Sequence, residues 1–197
     1  VLVLCLDTAT PDVAAAAVDT ATGEVWAQTV RDPRGAGERL MPLAIAALAA
    51  AGVSLREVGA IAVGLGPGPY TGLRVGVVTA ATLGLALGVP AFGACSLDVW
   101  ADGSCLVATD ARRREVFWAA YEGGVRVDGP HVDAPADVPA AARVVGPGAV
   151  LLGRATDERP CPVGRLASLV DLGADPPALV PTYLRRPDAA LPLAKRA

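Results

Sequence analysis

The sequence predicts an α/β chain built of two related lobes, the second reduced. Its 53% hydrophobic content comes mainly from Ala, Val and Leu with few aromatics, a composition that suits buried strands covered by helices. Apolar runs of strand length alternate with two long helical patterns in the first half of the chain. Past residue 100 the same order of elements starts again.

Residues 1–6 predict a buried strand, and residues 13–18 and 24–30 two more, with turns at Pro11-Asp12 and Thr22-Gly23. Turns this short imply an antiparallel start. Residues 39–51 place Leu40, Leu43, Ala44, Ala47, Leu48 and Ala51 at helical spacing, and Gly52 ends the run. A strand over 60–65 leads into a glycine- and proline-rich loop and a second helix over 71–87. In the second half, 105–109 predicts a strand turning at Asp110-Ala111, followed by strands over 115–121 and 125–131. Residues 134–148 read as loops with one short helix at most, and 163–172 as the later helix. Leu6-Asp7-Thr8 closes the first strand of one half and Thr109-Asp110-Ala111 that of the other. Two strand-strand-strand-helix units, each with an aspartate ending its first strand, are the plan of a two-lobed actin-like (ASKHA, ribonuclease H-like) fold. The lobes fall at residues 1–100 and 101–197, with the C-terminal tail free to pack back on the first.

The loop Gly64-Leu65-Gly66-Pro67-Gly68-Pro69-Tyr70-Thr71-Gly72-Leu73-Arg74-Val75-Gly76 resembles a phosphate cradle only at first sight. A cradle needs consecutive N–H groups aimed at the anion. Pro67 and Pro69 each remove one and fix φ, and the loop lacks a Gly-Lys-Ser/Thr ending. It reads as a stiff entry to a helix, with Thr71 as candidate N-cap.

Steps of four from the loop give Gly72, Gly76, Ala80, Gly84 and Gly88, one helical stripe almost without side chains. Each glycine costs roughly 1 kcal/mol against alanine in a helix interior. Close approach of another backbone offsets that, and two neighbours fit: the sheet beneath, or a helix of a second protein. A membrane span is disfavoured, because Pro90 interrupts the uncharged run and no basic cluster flanks it.

The net charge of −3 gives the chain no electrostatic reason to grip nucleic acid unaided. Its small basic clusters, Arg112-Arg113-Arg114, Arg185-Arg186 and Lys195-Arg196, read as solvated surface. Cys5, Cys95, Cys105 and Cys161 are widely spaced, with neither a metal nor a disulfide pattern, and the N-terminus reads as no signal peptide. Cytoplasm is the expected compartment.

In an active kinase of this plan the two aspartates would bind metal beside glycine-rich turns. Here Asp7 is followed by Thr8-Ala9-Thr10 and Asp110 by Ala111 and three arginines. Asp7, Thr8 and Asp110 are therefore read as degenerate phosphate or metal positions, serving as turn acceptors. His131 stands alone, and no serine lies in a nucleophile-elbow context. Neither a catalytic residue, a metal nor a cofactor is expected.

Leu4-Cys5-Leu6-Asp7-Thr8-Ala9-Thr10, the central loop, Ser96-Leu97-Asp98, the segment from Asp110 to Ala119, and Pro181-Thr182-Tyr183-Leu184-Arg185 occur in that order. Together they closely resemble the TsaB/YeaZ family of the bacterial tRNA threonylcarbamoyladenosine machinery. The resemblance implies a non-catalytic scaffold that activates a TsaD-type threonylcarbamoyltransferase acting on adenosine 37 of tRNAs reading codons that begin with A. It also implies a TsaE-type ATPase partner, homodimers when the transferase is absent, and contact with tRNA only through the complex. The family pairs through its first two helices, which maps the interface onto Arg39, Leu40, Leu43, Ala47, Thr71, Gly72, Arg74, Val75, Gly76, Thr79, Ala80, Leu83, Gly84 and Leu87. Many relatives carry a histidine ahead of the first helix, where this chain has Arg34-Gly35-Ala36-Gly37-Glu38. Any contact that histidine makes is then either lost here or replaced by Arg34 or Glu38. The competing reading is an actin-like ATPase, a small-molecule kinase or a peptidase-like enzyme.

Overall fold

The computed structural model describes residues 1–32, 34–155 and 159–185. The first sheet runs β3-β2-β1-β4-β5, from β1 (Leu2–Asp7), β2 (Asp12–Asp19), β3 (Val25–Arg31), β4 (Ala60–Gly64) and β5 (Ala91–Ala94). β1, β2 and β3 form an antiparallel meander, while β4 and β5 continue from β1 in parallel. Two helices, α1 (Ala36–Ala50) and α2 (Tyr70–Leu87), supply the crossovers. The second sheet runs β8-β7-β6-β9, from β6 (Cys105–Arg112), β7 (Glu115–Glu122), β8 (Val125–Asp133) and β9 (Val144–Val145). This is the actin-like α/β architecture the sequence predicts.

β1 is apolar at consecutive positions because both its faces are buried. Leu4 and Leu6 join Leu40, Leu48 and Ile61 under the helices. Val3 and Cys5 point the other way, into a core with Val107, Ala119, Tyr121, Val163 and Leu166 from the second half of the chain. Trp100, between the two sheets in sequence, is 1% exposed in that shared core. The outer face of the second sheet is covered by loop residues such as Val138 and Leu152 around Trp118. Among the described residues that half contains no α-helix.

Several expectations need correction. α2 begins at Tyr70 with Pro69 in the cap position and without a side-chain cap, so Thr71 is already helical. Residues 163–172 yield only the short 3₁₀ segment Val163–Ser168, and β9 falls where only loops or a short helix were expected. The four residues of β5 went unforeseen. Asp110 does not turn the chain: β6 runs on to Arg112, and Arg112, Arg113 and Arg114 make the reversal with φ of 62°, 55° and 62°. Left-handed backbone at three consecutive non-glycine residues is not something propensity predicts.

The glycine stripe of α2 faces the sheet. Gly76 and Gly84 are buried and Ala80 has no exposure. A Cβ on Gly76 would lie 2.5 Å from Thr8 Oγ1, and one on Gly84 3.2 Å from the Ala91 Cβ. Thr8 Oγ1 donates a 2.7 Å hydrogen bond to the Gly72 carbonyl, which ties the end of β1 to the first turn of the helix. Gly88, at φ +68°, ends α2 in the left-handed region. By length and composition α2 could cross a membrane. Its inward face instead packs on β4 and β5.

Leucine at Gly76 should therefore overpack the interior and cost about 1–3 kcal/mol or more in urea unfolding. Leucine at exposed Ala81, on the opposite face, should stay within about 0.5 kcal/mol. Equal losses at the two positions would contradict the inward orientation of the stripe.

Candidate functional site

A cleft of about 840 Å³ opens where the end of β1, the starts of α1 and α2 and the β6–β7 hairpin meet. Thr8 and Thr10 form its floor, Tyr70, Thr71 and Gly72 one wall, and Asp110, Arg112 and Arg113 the opposite wall. The tail closes one side. The Thr182 N–H donates to the Leu65 carbonyl at 2.7 Å, and the Tyr183 ring lies 4.9 Å from that of Tyr70. Arg185 then donates to the Ala111 and Arg112 carbonyls at 2.8 and 3.3 Å and pairs with Glu115. Arg186 and the Lys195-Arg196 cluster lie outside the described residues.

Asp7 does not reach this cleft. It is 1% exposed, its Oδ1 accepts the Ala9 N–H at 2.8 Å, and its Oδ2 lies beside the Ser96 hydroxyl. Oδ2 and the Ser96 hydroxyl crowd the space where a Cβ on Gly64 would stand, so only glycine fits there. Burial pushes the carboxyl up to about 6, a rise that the Ser96 hydroxyl and the Ala9 N–H only partly oppose. Asp110 does line the cleft, but its Oδ1 accepts the Arg112 N–H at 2.7 Å and its Oδ2 pairs with the Arg112 guanidinium at 3.4 Å. The two strand-end aspartates are thus brought to the same region, one beneath the surface and one already paired.

Other reactive groups are no better placed. Burial pushes the Cys5 thiol up to about 12, where it carries no thiolate at neutral pH. His131 sits on β8, with Nε2 2.7 Å from Asp128 Oδ1 and its ring 4.7 Å from that of Trp118. Among the described residues no three His, Cys, Asp or Glu side chains gather as a metal site.

The residues mapped to a pairing surface divide sharply. Leu40, Ala47, Gly76, Ala80 and Gly84 are buried in the chain's own core, because helix faces rich in small residues are the ones that fit against a sheet. Arg39, Thr71 and Arg74 are exposed, and Leu43, Gly72, Val75, Thr79, Leu83 and Leu87 are half-buried along the flanks of α1 and α2. The outward stripe of α2 is Arg74, Val78, Ala81 and Leu85, with Leu85 at 87% exposure and Ile45 of α1 also exposed. Val78, Leu85 and Ile45 were missed from sequence. The signal that could have found them is the 74, 78, 81, 85 spacing opposite the glycines.

Residues 34–150 match the family model described as TsaD, tRNA N6-adenosine threonylcarbamoyltransferase. A Mycobacterium tuberculosis protein described as uncharacterised is 46% identical over 197 residues, covering 95% of this chain and 93% of its own length. The Escherichia coli tRNA threonylcarbamoyladenosine biosynthesis protein TsaB is 35% identical over 128 residues, which span 61% of this chain and 54% of that protein. The chain belongs to the TsaB/YeaZ family. The structure of YeaZ from Pseudomonas aeruginosa superposes with a TM-score of 0.74 at 27% identity, over 93% of this chain and 99% of that one. Another P. aeruginosa structure, with a TM-score of 0.74 and 28% identity, is described as an uncharacterised protein similar to peptidase YeaZ.

The buried Asp7 carboxyl of this TsaB/YeaZ chain gives a pH test. With a folded pKa near 6 against an ordinary value of 3.8, Asp7 favours the folded state most when protonated. Its contribution should fall as pH rises from about 4 to about 6 and stay level above. Asp7→Asn keeps the acceptor for Ala9 and removes the charge. Its stability relative to the parent should grow by about 2 kcal/mol between pH 4 and 7 in denaturant titrations. A difference independent of pH would mean the carboxyl is ionised as easily as in the unfolded chain.

Proposed function

We propose that this chain takes part in tRNA threonylcarbamoyladenosine biosynthesis as a non-catalytic scaffold that activates a TsaD-type transferase by pairing with it. The family membership supports the process. The outward apolar stripe of α2 supports the pairing, since Val78 and Leu85 are 57% and 87% exposed on one face, and Ile45 of α1 is exposed as well. The pairing surface is then Arg39, Leu43, Ile45, Arg74, Val75, Val78, Thr79, Ala81, Leu83, Leu85 and Leu87, all from the lobe of residues 1–100. The second half of the chain packs against the opposite face of the sheet on which both helices rest.

The buried Asp7, the paired Asp110 and the inert Cys5 support the assignment of chemistry to a partner rather than to this chain. In this reading the chain works in the cytoplasm, where bacterial tRNA is modified. A TsaE-type ATPase joins the assembly, and the same helical face forms a homodimer when the transferase is absent. tRNA is met through the complex.

Light scattering on the chain alone and mixed with the TsaD-type subunit of the same organism tests this reading. A homodimer that exchanges into a mixed complex is expected. Leu85→Glu should abolish both species while the melting temperature stays within a degree or two, because position 85 is outside the core. A parent chain that ignores the transferase, or a Leu85→Glu variant that still pairs, would remove the proposal.

A further inference from the structure

Ser96-Leu97-Asp98 opens the short junction between the last strand of the first sheet and the first strand of the second. The junction is irregular and buried, with Leu97, Val99 and Ala101 at 0% exposure and Trp100 at 1%. Buried backbone outside a ladder must find other partners for its carbonyls. All six carbonyls of residues 97–102 have one. The Trp100 and Ala101 N–H groups donate to Leu97 and Asp98 at 3.1 and 3.3 Å. Arginines take the rest: Arg165 donates to Val99 at 3.1 Å and also to Ala101, Arg159 to Trp100 at 3.2 Å, and Arg143 to Asp102.

These side chains are anchored on both lobes. Arg165 belongs to the segment Val163–Ser168, which packs on the far face of the first sheet with Val3, Cys5 and Val18. The fit is close enough that a Cβ on Gly164 would stand 2.6 Å from Val25. Arg143 directly precedes β9 of the second sheet, whose β7 and β8 supply Tyr121 and Arg126. The Tyr121 hydroxyl donates to Asp98 Oδ1 at 2.7 Å, and Arg126 Nε lies 3.6 Å from the same oxygen. Burial and the Asp98 carboxylate push the Tyr121 phenol up, so it stays a donor. At the other end of the motif Ser96 holds the loop that leads into α2. Its N–H donates to the Gly66 carbonyl at 2.8 Å, and its Oγ accepts the Gly66 N–H at 3.1 Å.

We propose that this junction is a locked hinge, in which Asp98, Arg126, Arg143 and Arg165 hold the two lobes in a single relative orientation. Hinge closure concentrates its change of φ and ψ in a few linking residues. Rotation about residues 99–102 would strip several buried carbonyls of charge-assisted partners at once, and the planar guanidinium of Arg165 spans two of them. On the cleft side, residues 182–185 cross from Leu65 to Arg112 and tie the lobes a second time. The chain thus carries the outer face of α2 as part of one rigid body, whereas an enzyme that closes two lobes on a ligand needs its linker free. The inference goes beyond the pairing role and does not rest on it, because the distance between the lobes is read in the chain alone.

Pulsed electron spin resonance between nitroxides on Arg56→Cys in the first lobe and Val127→Cys in the second measures that distance. Both positions are exposed, and none of the four native thiols is. The parent should give one narrow distribution, unchanged by the TsaD-type subunit. Asp98→Ala, Arg165→Met and Arg143→Met should each broaden it about twofold. Arg114→Met, an equal loss of charge at an exposed position, should leave it narrow. Arg143 is 45% exposed at the outer end of the junction, so its variant keeps the test open where an inner one fails to fold. A broad or two-peaked parent, a distance that moves when the subunit binds, or Arg143→Met and its companions as narrow as the parent would overturn the lock. A narrow parent that ignores the transferase supports the lock and counts against the pairing role alone.

Discussion

Helix α2 can lie against β4 and the end of β1 only because the stripe Gly76, Ala80 and Gly84 on its inward face carries almost no side chain. Gly76 meets the Thr8 hydroxyl, Ala80 has no exposure and Gly84 rests on Ala91. The backbones approach closely enough for Thr8 Oγ1 to donate to the Gly72 carbonyl. That one hydrogen bond fixes where the first turn of the helix stands relative to the end of β1. The cleft then inherits its shape, since Thr8 is its floor and Thr71 and Gly72 its wall. A larger residue in the stripe would lift the helix, and floor and wall would separate together.

A helix whose inner face is small must carry its bulk elsewhere. In α2 the bulk goes outward to Val78 and Leu85 and to the flanks at Val75, Leu83 and Leu87. Only Leu73 and Val77 of its larger apolar side chains are buried, so much of the apolar surface that an amphipathic helix turns to the core is here turned outward. It also makes the helix look like a membrane span by composition. Packing on the sheet and an apolar outer stripe are thus two consequences of one sequence choice. The second leaves an apolar surface open to water.

Much of this was legible in the sequence, and the failures have physical causes. Four of the five strands of the first sheet and both helices could be read because each carries a run of one period, as in Leu4 to Leu6 or Leu40 to Leu48. The orientation of the glycine stripe could not, since a row of small residues fits a sheet and a neighbouring helix equally well. β5 has four residues directly after Pro90, too few for a pattern. Asp110 was assigned to a turn because Asp-Ala before three arginines resembles one, whereas the reversal depends on left-handed backbone at the arginines themselves. The cleft was invisible for a different reason. Arg34, Tyr70, Arg113 and Tyr183 come from four elements spread over most of the chain, and no local motif joins them.

The first turn of α2 belongs to two places at once. Tyr70, Thr71 and Val75 line the cleft, and the same residues with Gly37, Arg74, Val78 and Thr79 line a shallower groove on the outer face. Arg74 bridges them, donating to the Tyr70 hydroxyl at 3.3 Å while its guanidinium lies 5.4 Å from the centre of that ring. Tyr70 in turn holds Tyr183, and the tail beyond it ends on the arginine hairpin through Arg185. Tyr70 therefore ties the two surfaces together mechanically: a shift of its ring moves Tyr183 on the cleft side and Arg74 on the outer face at once.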